Sequence, residues 1–273
     1  MRTKAIFLFL LLNITTLGIC TAQDSTRLIY KQIETVKLKM LVYKPSSFSK
    51  AKNRPAIVFF PGGGWYFSKI TQFEIFAQHC ASKGMVAVLA DYRVKSRHQT
   101  TPAESLKDAK SAVRYLRQNA AELGIDPHKI AVSGGSAGGH LAAACYTNLT
   151  INETSDDLTI SPEPNALVLF NPVIDNSAEG YGYDRIKEYF PEFSPVHNIR
   201  KGFPPTIFFV GTKDNLIPVK TAELFKQKIE LVGSRCELFL YKDQAHGFFN
   251  QPVFHTDILS KVDAFLQSIG YMD

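Results

Sequence analysis

The stretch Val-Ser-Gly-Gly-Ser-Ala-Gly-Gly-His at positions 132–140 constrains the fold of this chain more than any other segment. It follows the strand-forming run 129–132 and precedes a helix-forming segment, so its context is a strand, a sharp turn and a helix. Gly134 and Gly138 stand two residues before and after Ser136, where glycines let the strand and the helix approach without clashing Cβ atoms. The pattern predicts that Ser136 occupies a strained turn at a helix N-terminus, the arrangement called a nucleophile elbow.

Two later strand ends carry the residue types that a serine nucleophile needs. A serine hydroxyl attacks a carbonyl efficiently when a base takes its proton and an acid orients that base. In an elbow arrangement the chain order is serine, acid, histidine. Asp214 follows the strand-forming run 208–211, and His246 follows the run 237–241. Because ligands bind at the carboxyl ends of the strands in an open parallel sheet, we expect Ser136, Asp214 and His246 to converge on one site.

Each of these residues also has a purely structural interpretation. Gly-x-Ser-x-Gly is compatible with a plain glycine-rich turn, Asp214 with a helix cap or turn, and His246 with a packed loop histidine. Asp243 is a second candidate for the acid, but it lies three residues before His246 and would reach the imidazole of its own loop with difficulty. Three correct residue types in the expected order favour the catalytic interpretation.

A glycine run follows the buried-type strand 56–60. Consecutive glycines after Pro61 allow the backbone to lie close to a substrate carbonyl and to aim N–H groups at the oxyanion. A flexible turn is the alternative interpretation. Trp65 and Tyr66 follow directly, and we expect them to line the substrate pocket, with simple packing as the alternative.

These motifs together resemble those of α/β-hydrolases of the esterase/lipase group related to hormone-sensitive lipase. Within that group the chain is similar to small bacterial esterases that include acetyl xylan esterases and feruloyl esterases. The resemblance covers about residues 30–269. The matching segments are Pro61-Gly62-Gly63-Gly64-Trp65, Asp91-Tyr92-Arg93, Gly134-Gly135-Ser136-Ala137-Gly138-Gly139, Gly211-Thr212-Lys213-Asp214 and His246-Gly247-Phe248.

The resemblance implies roles for further residues. The oxyanion donors would be the backbone N–H groups of Ala137 and of Gly63 or Gly64. The triplet 91–93 would stabilise the loops around the site rather than take part in the reaction. One position departs from the family pattern, because proline stands at Pro61 where the family has a histidine that is thought to brace the glycine loop.

The order of strands and helices predicts an α/β architecture, and the resemblance implies the α/β-hydrolase fold. Apolar strands alternate with amphipathic helices, which indicates a mostly parallel central sheet with helices on both faces. Alternating residues over 27–43 favour an antiparallel strand pair at the sheet edge, and a single long helix is expected over 102–124. We expect no large cap domain, only an irregular insertion at 181–193 with one short helix over the mouth of the site.

The N-terminus has the pattern of a secretory signal peptide over residues 1–22, which leaves 23–273 as one catalytic domain. A basic start precedes the apolar run 5–12, which is too short for an ordinary membrane span. Lipid anchoring through Cys20 is the less favoured alternative, because bulky Ile19 stands where a small residue is wanted. The expected location is secreted or periplasmic, with no membrane span in the mature chain.

Charge and cysteine content exclude several classes of function. The chain has 31 Lys+Arg and 25 Asp+Glu, and removal of a segment with two basic residues leaves a charge of +4. This mild surplus without a basic run excludes a nucleic-acid footprint. We expect Cys80, Cys145 and Cys236 to be buried as small apolar residues, although one disulfide is allowed. Their spacing fits no zinc motif, and no metal or organic cofactor is implied.

The sequence therefore predicts a secreted serine esterase that works through an acyl-enzyme. The resemblance favours removal of short acyl groups, acetyl above all, from an acylated small molecule or polysaccharide. Three alternatives stay open: a general short-chain esterase or lipase, a serine peptidase of the prolyl oligopeptidase type, and a catalytically silent hydrolase fold that acts as a binding module. The oligomeric state and the identity of the sugar stay open as well.

Overall fold

A computed structural model describes residues 25–272, so the predicted signal peptide at 1–22 lies outside the described residues. Eight strands and eight α-helices make up this part of the chain. The strands are β1 (Ser25–Ile33), β2 (Val36–Tyr43), β3 (Arg54–Phe60), β4 (Val86–Ala90), β5 (Ile125–Gly135), β6 (Ala166–Phe170), β7 (Thr206–Gly211) and β8 (Cys236–Tyr241). The helices are α1 (Glu74–Ser82), α2 (Lys95–His98), α3 (Pro102–Gln118), α4 (Ala120–Leu123), α5 (Ala137–Thr147), α6 (Tyr183–Ile186), α7 (Val219–Leu231) and α8 (Pro252–Ser268). Short 3₁₀-helices lie at Ile70–Phe73, Lys187–Tyr189, Pro195–His197 and Phe248–Asn250.

The strands form one sheet in the order β1-β2-β4-β3-β5-β6-β7-β8. β2 pairs antiparallel with β1 and β4, and the remaining neighbours are parallel. The mostly parallel sheet and its antiparallel edge are therefore confirmed. The chain passes from β4 on one side of β3 to β5 on the other, so the carboxyl ends of β3 and β5 are adjacent. Open sheets bind ligands at such a reversal of strand order, and both of these ends carry predicted site residues.

Helices cover both faces of the sheet, as the sequence predicts. α3, α5 and α7 bury apolar side chains against one face, and α1 and α8 do so against the other. The continuously apolar sequence of β3 follows from this burial. Val58 and Phe60 pack on the face covered by α3, α5 and α7, and Ile57 and Phe59 pack on the face covered by α1 and α8. Both faces of a parallel strand are buried, so alternation of polar and apolar residues is absent.

The single helix expected over 102–124 is wrong in one detail. α3 begins with a capping box between Thr101 and Glu104, and it ends at Gln118. The side chain of Asn119 donates to the carbonyl of Tyr115 over 2.8 Å, and its backbone N–H donates to the same carbonyl over 3.0 Å. A side chain that bonds the preceding turn competes with helix continuation, so the short helix α4 follows as a separate turn.

The triplet 91–93 connects loops below the site, as the resemblance implies. The Asp91 carboxylate accepts hydrogen bonds from Arg97 and Ser68. Arg93 pairs with Asp108 of α3 over 2.8 Å in a buried cluster. Each of these side chains is occupied by structural partners.

The three cysteines of the described residues are buried and unpaired. Cys80 lies on α1, Cys145 on α5 and Cys236 at the start of β8. Burial raises the pKa of Cys145 and of Cys236 to about 12, and that of Cys80 further. The expectation of buried small residues is therefore confirmed. Within residues 25–272, no helix is both long and apolar enough to cross a membrane.

Candidate active site

Ser136 occupies the turn between β5 and α5 in a backbone conformation that L-residues rarely adopt. Its φ is 53° and its ψ is −119°. The close approach of strand, helix and β3 explains the neighbouring glycines. A Cβ on Gly138 would lie 2.1 Å from the carbonyl oxygen of Phe60, and one on Gly134 would lie 2.4 Å from the Gly138 carbonyl. The elbow is therefore formed as the sequence predicts, with the serine at the end of the strand next to β3.

The structure brings together the serine, the histidine and the aspartate from three loops. His246 Nε2 lies 2.8 Å from Ser136 Oγ, and His246 Nδ1 lies 2.8 Å from Asp214 Oδ2. These distances are those of hydrogen bonds, so the three groups form one continuous line. A base in contact with the hydroxyl and an acid in contact with the base are what activation of a serine requires.

Hydrogen bonds hold the Asp214 carboxylate in its charged form. Its Oδ1 accepts the backbone N–H groups of Leu216 and Ile217, each over 2.9 Å. Burial on its own would raise the pKa of Asp214. The hydrogen bond and charge of His246, together with the two N–H groups, outweigh burial and lower that pKa below its usual value.

Asp243, the other candidate acid, lies elsewhere. Its carboxylate pairs with Lys213 over 3.0 Å, and its side chain is 57% exposed. The structure joins it to a lysine at the surface rather than to the imidazole. The sequence argument for Asp214 agrees with this geometry.

Asn171 is a residue of the site that the sequence analysis missed. It follows β6 directly, is fully buried, and has a φ of 42°. Its side-chain Nδ2 donates to Asp214 Oδ2 over 2.5 Å. Its position could have indicated this role. β6 lies between β5 and β7, so a polar residue at its carboxyl end stands between Ser136 and Asp214.

The glycine loop, residues 61–65, runs beside the serine with unusual backbone angles. Gly63, Gly64 and Trp65 all have positive φ, at 129°, 62° and 57°. Tyr92 donates to the carbonyl of Pro61 over 2.6 Å, so the loop has a hydrogen-bonded brace although the family histidine is replaced.

The predicted oxyanion donors lie around the serine. The N–H of Gly62 is taken by Gln72, whereas the N–H groups of Gly63 and Gly64 have no partner among the described residues. Ala137 is the first residue of α5, where the backbone N–H has no acceptor within the helix. Gly63 and Gly64 line the same cleft as Ser136, and Ala137 follows Ser136 directly in the chain.

Comparison with known proteins assigns the family. The family model BD-FAE matches residues 40–179, which is half of the chain, and the model of the dienelactone hydrolase family matches residues 168–268. The chain belongs to the BD-FAE family. Thermogutta terrifontis esterase 2, in the form phosphoramylated by tabun, matches with a TM-score of 0.88 and 44% identity over 92% of this chain and 97% of that chain. The α/β-hydrolase fold and the resemblance to esterases are thereby confirmed.

Curated relatives of this BD-FAE protein are also esterases. Esterase LipC of Mycobacterium tuberculosis is 29% identical over 72% of this chain and 54% of its own length. Acetylxylan esterase of Xylanibacter ruminicola is 26% identical over 91% of this chain and 52% of its own length. The chain thus spans about half the length of these two relatives.

In this BD-FAE protein Ser136 and His246 open into a cleft of about 820 Å³. The cover segment, residues 181–193, forms one wall with the short helix α6, and no large cap domain is present among the described residues. Arg185 of this segment donates to the carbonyl of Gly64 over 2.7 Å, so the cover segment is tied to the glycine loop. The short insertion expected over the mouth is therefore confirmed.

The two aromatic residues predicted to line the pocket differ in exposure. Tyr66 is 56% exposed at the cleft, as expected. Trp65 borders the cleft but is only 2% exposed, and its ring packs against His140 and Phe193 at centroid distances of 5.1 and 5.9 Å. Trp65 therefore borders the cleft while its ring packs into the core, which combines the expected position with the alternative of simple packing.

No set of three or more His, Cys, Asp or Glu side chains in residues 25–272 is arranged to hold a metal ion. The cleft instead contains polar side chains that the sequence analysis did not single out: Gln72, Lys95, Gln99, Thr100, Asp184 and Asn250. Most of these are brought to the cleft by loops and short helices, and no local sequence pattern marks them.

Proposed function

We propose that this protein hydrolyses carboxylic esters through a covalent acyl-enzyme. Ser136 Oγ bonds to the ester carbonyl carbon while its proton passes to His246 Nε2. The bond between that carbon and the alkoxy oxygen then breaks, and the alcohol leaves with this proton. Water next attacks the acyl carbon, gives a proton to His246 and releases the acid, and Ser136 recovers its proton. The observation that carries this proposal is the line of two 2.8 Å contacts from Ser136 through His246 to Asp214.

Backbone N–H groups would stabilise the charge that develops on the carbonyl oxygen. We assign this role to Ala137 and to Gly63 or Gly64, as the family resemblance implies. Preorganised donors of this kind commonly contribute about 10²- to 10³-fold in rate for each donor. Asp214 keeps the imidazole in the tautomer that accepts a proton at Nε2 and stabilises the imidazolium that forms.

For the acyl group we propose a short acid, acetate above all. Structures of Thermogutta terrifontis esterase 2 contain propionate and butyrate, which supports a small acyl group in a site of this type. Polar side chains such as Lys95, Gln99 and Arg185 line the cleft together with apolar ones such as Leu216 and Phe249, and the described residues contain no cap domain that would wall a long acyl tunnel.

For the alcohol we propose a carbohydrate. Exposed Tyr66 and Phe67 stand at the cleft, and aromatic faces suit sugar rings. Lys95, Gln99 and Thr100 line the same cleft, and the Thr100 hydroxyl is buried without a partner in the described part of the chain. A hydroxylated alcohol would supply hydrogen-bond partners to these groups. The name of the Xylanibacter ruminicola relative, acetylxylan esterase, supports the same substrate class.

Export remains part of this proposal. The support is the pattern at residues 1–22, which lies outside the described residues. Cleavage after Ala22 would be seen as a shortened N-terminus in the protein recovered outside the cytoplasm, whereas an uncleaved, retained chain would contradict it.

The experiment compares the full enzyme with Ser136→Ala on three substrates: p-nitrophenyl acetate, acetylated xylan and a peptide amide. Acetate release from both esters by the wild type, at background level in Ser136→Ala, supports the proposal. If p-nitrophenyl acetate is hydrolysed but no acetate is released from acetylated xylan, the protein is a general short-chain esterase and the proposed carbohydrate substrate is wrong. Amide cleavage without ester preference favours the peptidase alternative, and an inactive wild type favours a binding module.

Paraoxon gives a second readout of the nucleophile. Thermogutta terrifontis esterase 2 has been solved phosphorylated by paraoxon. We expect one diethylphosphoryl group on Ser136 by peptide mass spectrometry and none in Ser136→Ala. Modification at another serine would reject the assignment.

A further inference from the structure

Asn171 contacts the acid that holds the histidine, from the strand end between those of Ser136 and Asp214. Asp214 Oδ2 accepts two hydrogen bonds, one from His246 Nδ1 over 2.8 Å and one from Asn171 Nδ2 over 2.5 Å. The other oxygen of this carboxylate is held by two backbone N–H groups. Four donors therefore hold the carboxylate, two on each oxygen.

The chemistry of the contact determines which way the Asn171 amide points. The opposite orientation would bring the amide oxygen against a carboxylate oxygen, and two acceptors at that distance repel. Asn171 is therefore a donor to Asp214, and its own Oδ1 lies buried without a partner among the described residues. A buried acceptor left unpaired is unfavourable for stability.

The backbone of Asn171 points to the same conclusion. Its φ of 42° lies in the left-handed region, where asparagine is tolerated better than most side chains. Its N–H donates to the carbonyl of Phe209 on β7 over 2.8 Å. The turn after β6 thus directs the neutral side-chain amide of Asn171 at Asp214. The backbone of Asn171 lies in a rarely populated region, and such residues cluster at functional sites.

We propose that Asn171 is a positioning residue for the reaction: its side-chain amide holds Asp214 Oδ2 in line with His246 Nδ1. The inference rests on the proposed roles of Ser136, His246 and Asp214. Asn171 does not line the cleft, so it acts through the aspartate rather than on the substrate. Its neutrality is part of the role, since the donor adds no charge beside the histidine.

Substitution by aspartate tests this directly, because Asn171→Asp keeps the size and replaces the donor with an acceptor. Two carboxyl groups in contact favour sharing one proton. When both are ionised, the added negative charge favours the protonated form of His246, which cannot act as a base. The acidic limb of the kcat/KM profile should move up by about one pH unit or more, with lower activity at neutral pH.

Removal of the side chain gives a milder effect. Asn171→Ala should lower kcat by about tenfold to hundredfold, the size expected from a hydrogen bond to a charged group. KM should stay within about twofold, since the residue is buried away from the cleft. Asn171→Ser, which retains a shorter donor, should recover part of the lost kcat.

Asn176 provides a matched control. It is equally buried, its Nδ2 also makes one hydrogen bond, to the carbonyl of Tyr181 over 2.8 Å, and its Oδ1 also lacks a partner in the described region. It touches none of the three proposed catalytic residues. Asn176→Asp and Asn176→Ala should lower Tm without moving the acidic limb.

The outcomes separate this inference from the proposed function. An acidic limb that moves in Asn171→Asp and not in Asn176→Asp supports it. An unmoved limb in Asn171→Asp together with a kcat near that of the wild type in Asn171→Ala overturns it, and so does an equal shift of the limb in Asn176→Asp. If Asn171→Asp fails to fold, the alanine and serine variants decide by the kcat and KM comparison. Turnover by Ser136→Ala would instead overturn the proposed function itself.

Discussion

Gln72 donates a hydrogen bond from its side-chain amide to Asn250 Oδ1 over 3.0 Å, and its Oε1 accepts the backbone N–H of Gly62 over 2.7 Å. Asn250 in turn donates to the carbonyl of Gly247 over 2.9 Å, one residue from His246. A chain of hydrogen bonds thus runs across the cleft from the glycine loop to the histidine loop. The two loops that would hold the oxyanion and the base are positioned against each other by one glutamine.

Loss of the Gln72 side chain should therefore affect the reaction more than binding. Gln72→Ala should lower kcat about fivefold to thirtyfold, the size expected for one or two neutral hydrogen bonds, with a smaller change in KM. Gln72→Glu keeps an acceptor for Gly62 but cannot donate to Asn250, so an intermediate loss is expected. Gln32→Ala, an exposed glutamine on β1, is the control. Equal kinetics for Gln72→Ala and Gln32→Ala would contradict the coupling.

The two candidate acids should respond very differently to neutralisation. Asp214→Asn replaces an acceptor of the imidazole N–H and favours the wrong tautomer, so a loss of about 10⁴-fold in kcat is expected. Asp243→Asn removes only an exposed ion pair with Lys213, and activity should stay within about twofold. Steady-state kinetics on p-nitrophenyl acetate measure both. A damaging Asp243→Asn beside a nearly silent Asp214→Asn would reverse the assignment.

We expect the enzyme to prefer esters of short acids to esters of long ones. A pocket that buried each added methylene would gain about 0.8 kcal/mol per group. Lys95, Gln99 and Arg185 line the cleft among its apolar residues, and the described residues contain no cap domain that would wall a long apolar tunnel. We expect kcat/KM to be higher for acetyl than for octanoyl p-nitrophenyl esters. A steady rise beyond about eight carbons would mark the enzyme as lipase-like.

The buried His140 should make stability depend on pH. Burial lowers its pKa from 6.5 to about 4, although the hydrogen bond to the Phe193 carbonyl opposes this in part. Because the folded-state pKa is the lower one, the unfolded chain binds a proton first as pH falls. The contribution of His140 to the free energy of unfolding is therefore complete above pH 6.5, the pKa in the unfolded chain. It decreases by about 3 kcal/mol as the pH falls from there to about 4.

The measurement is the free energy of unfolding in urea across this pH range. His140→Phe keeps a ring against Phe193, whose stacking distance is 4.3 Å, but cannot titrate. Its stability should fall less steeply than that of the wild type on acidification, even though it begins lower because the Phe193 carbonyl loses its donor. Parallel curves for the two proteins would rule out His140 as the source.

Local patterns predicted the sheet and the line of three residues, because both depend on short-range features. The continuous apolar run of β3 reflects burial on both faces, and the elbow glycines reflect contacts within a few residues of Ser136. Asp214 and His246 were found because parallel strands end at one edge. The division between α3 and α4 was missed, since a single asparagine bond decided it.

Asn171 and Gln72 were not predicted for a different reason. Gln72 meets Asn250 across a sequence separation of 178 residues, and Asn171 meets Asp214 across 43. Pairs at such separations are determined by strand order and loop path, neither of which a single polar residue signals. Trp65 was expected at the pocket because its loop lies there, but the local sequence does not show that its ring packs against His140 and Phe193.

The unpaired cysteines give the molecule three internal reporters of opening. Cys80 packs on the α1 face of the sheet, while Cys145 and Cys236 pack on the opposite face. Thiolates are the reactive species, and burial disfavours them at all three positions. A small alkylating reagent therefore modifies each position only when its surroundings separate. The order in which the three are modified would show which face of the sheet loosens first.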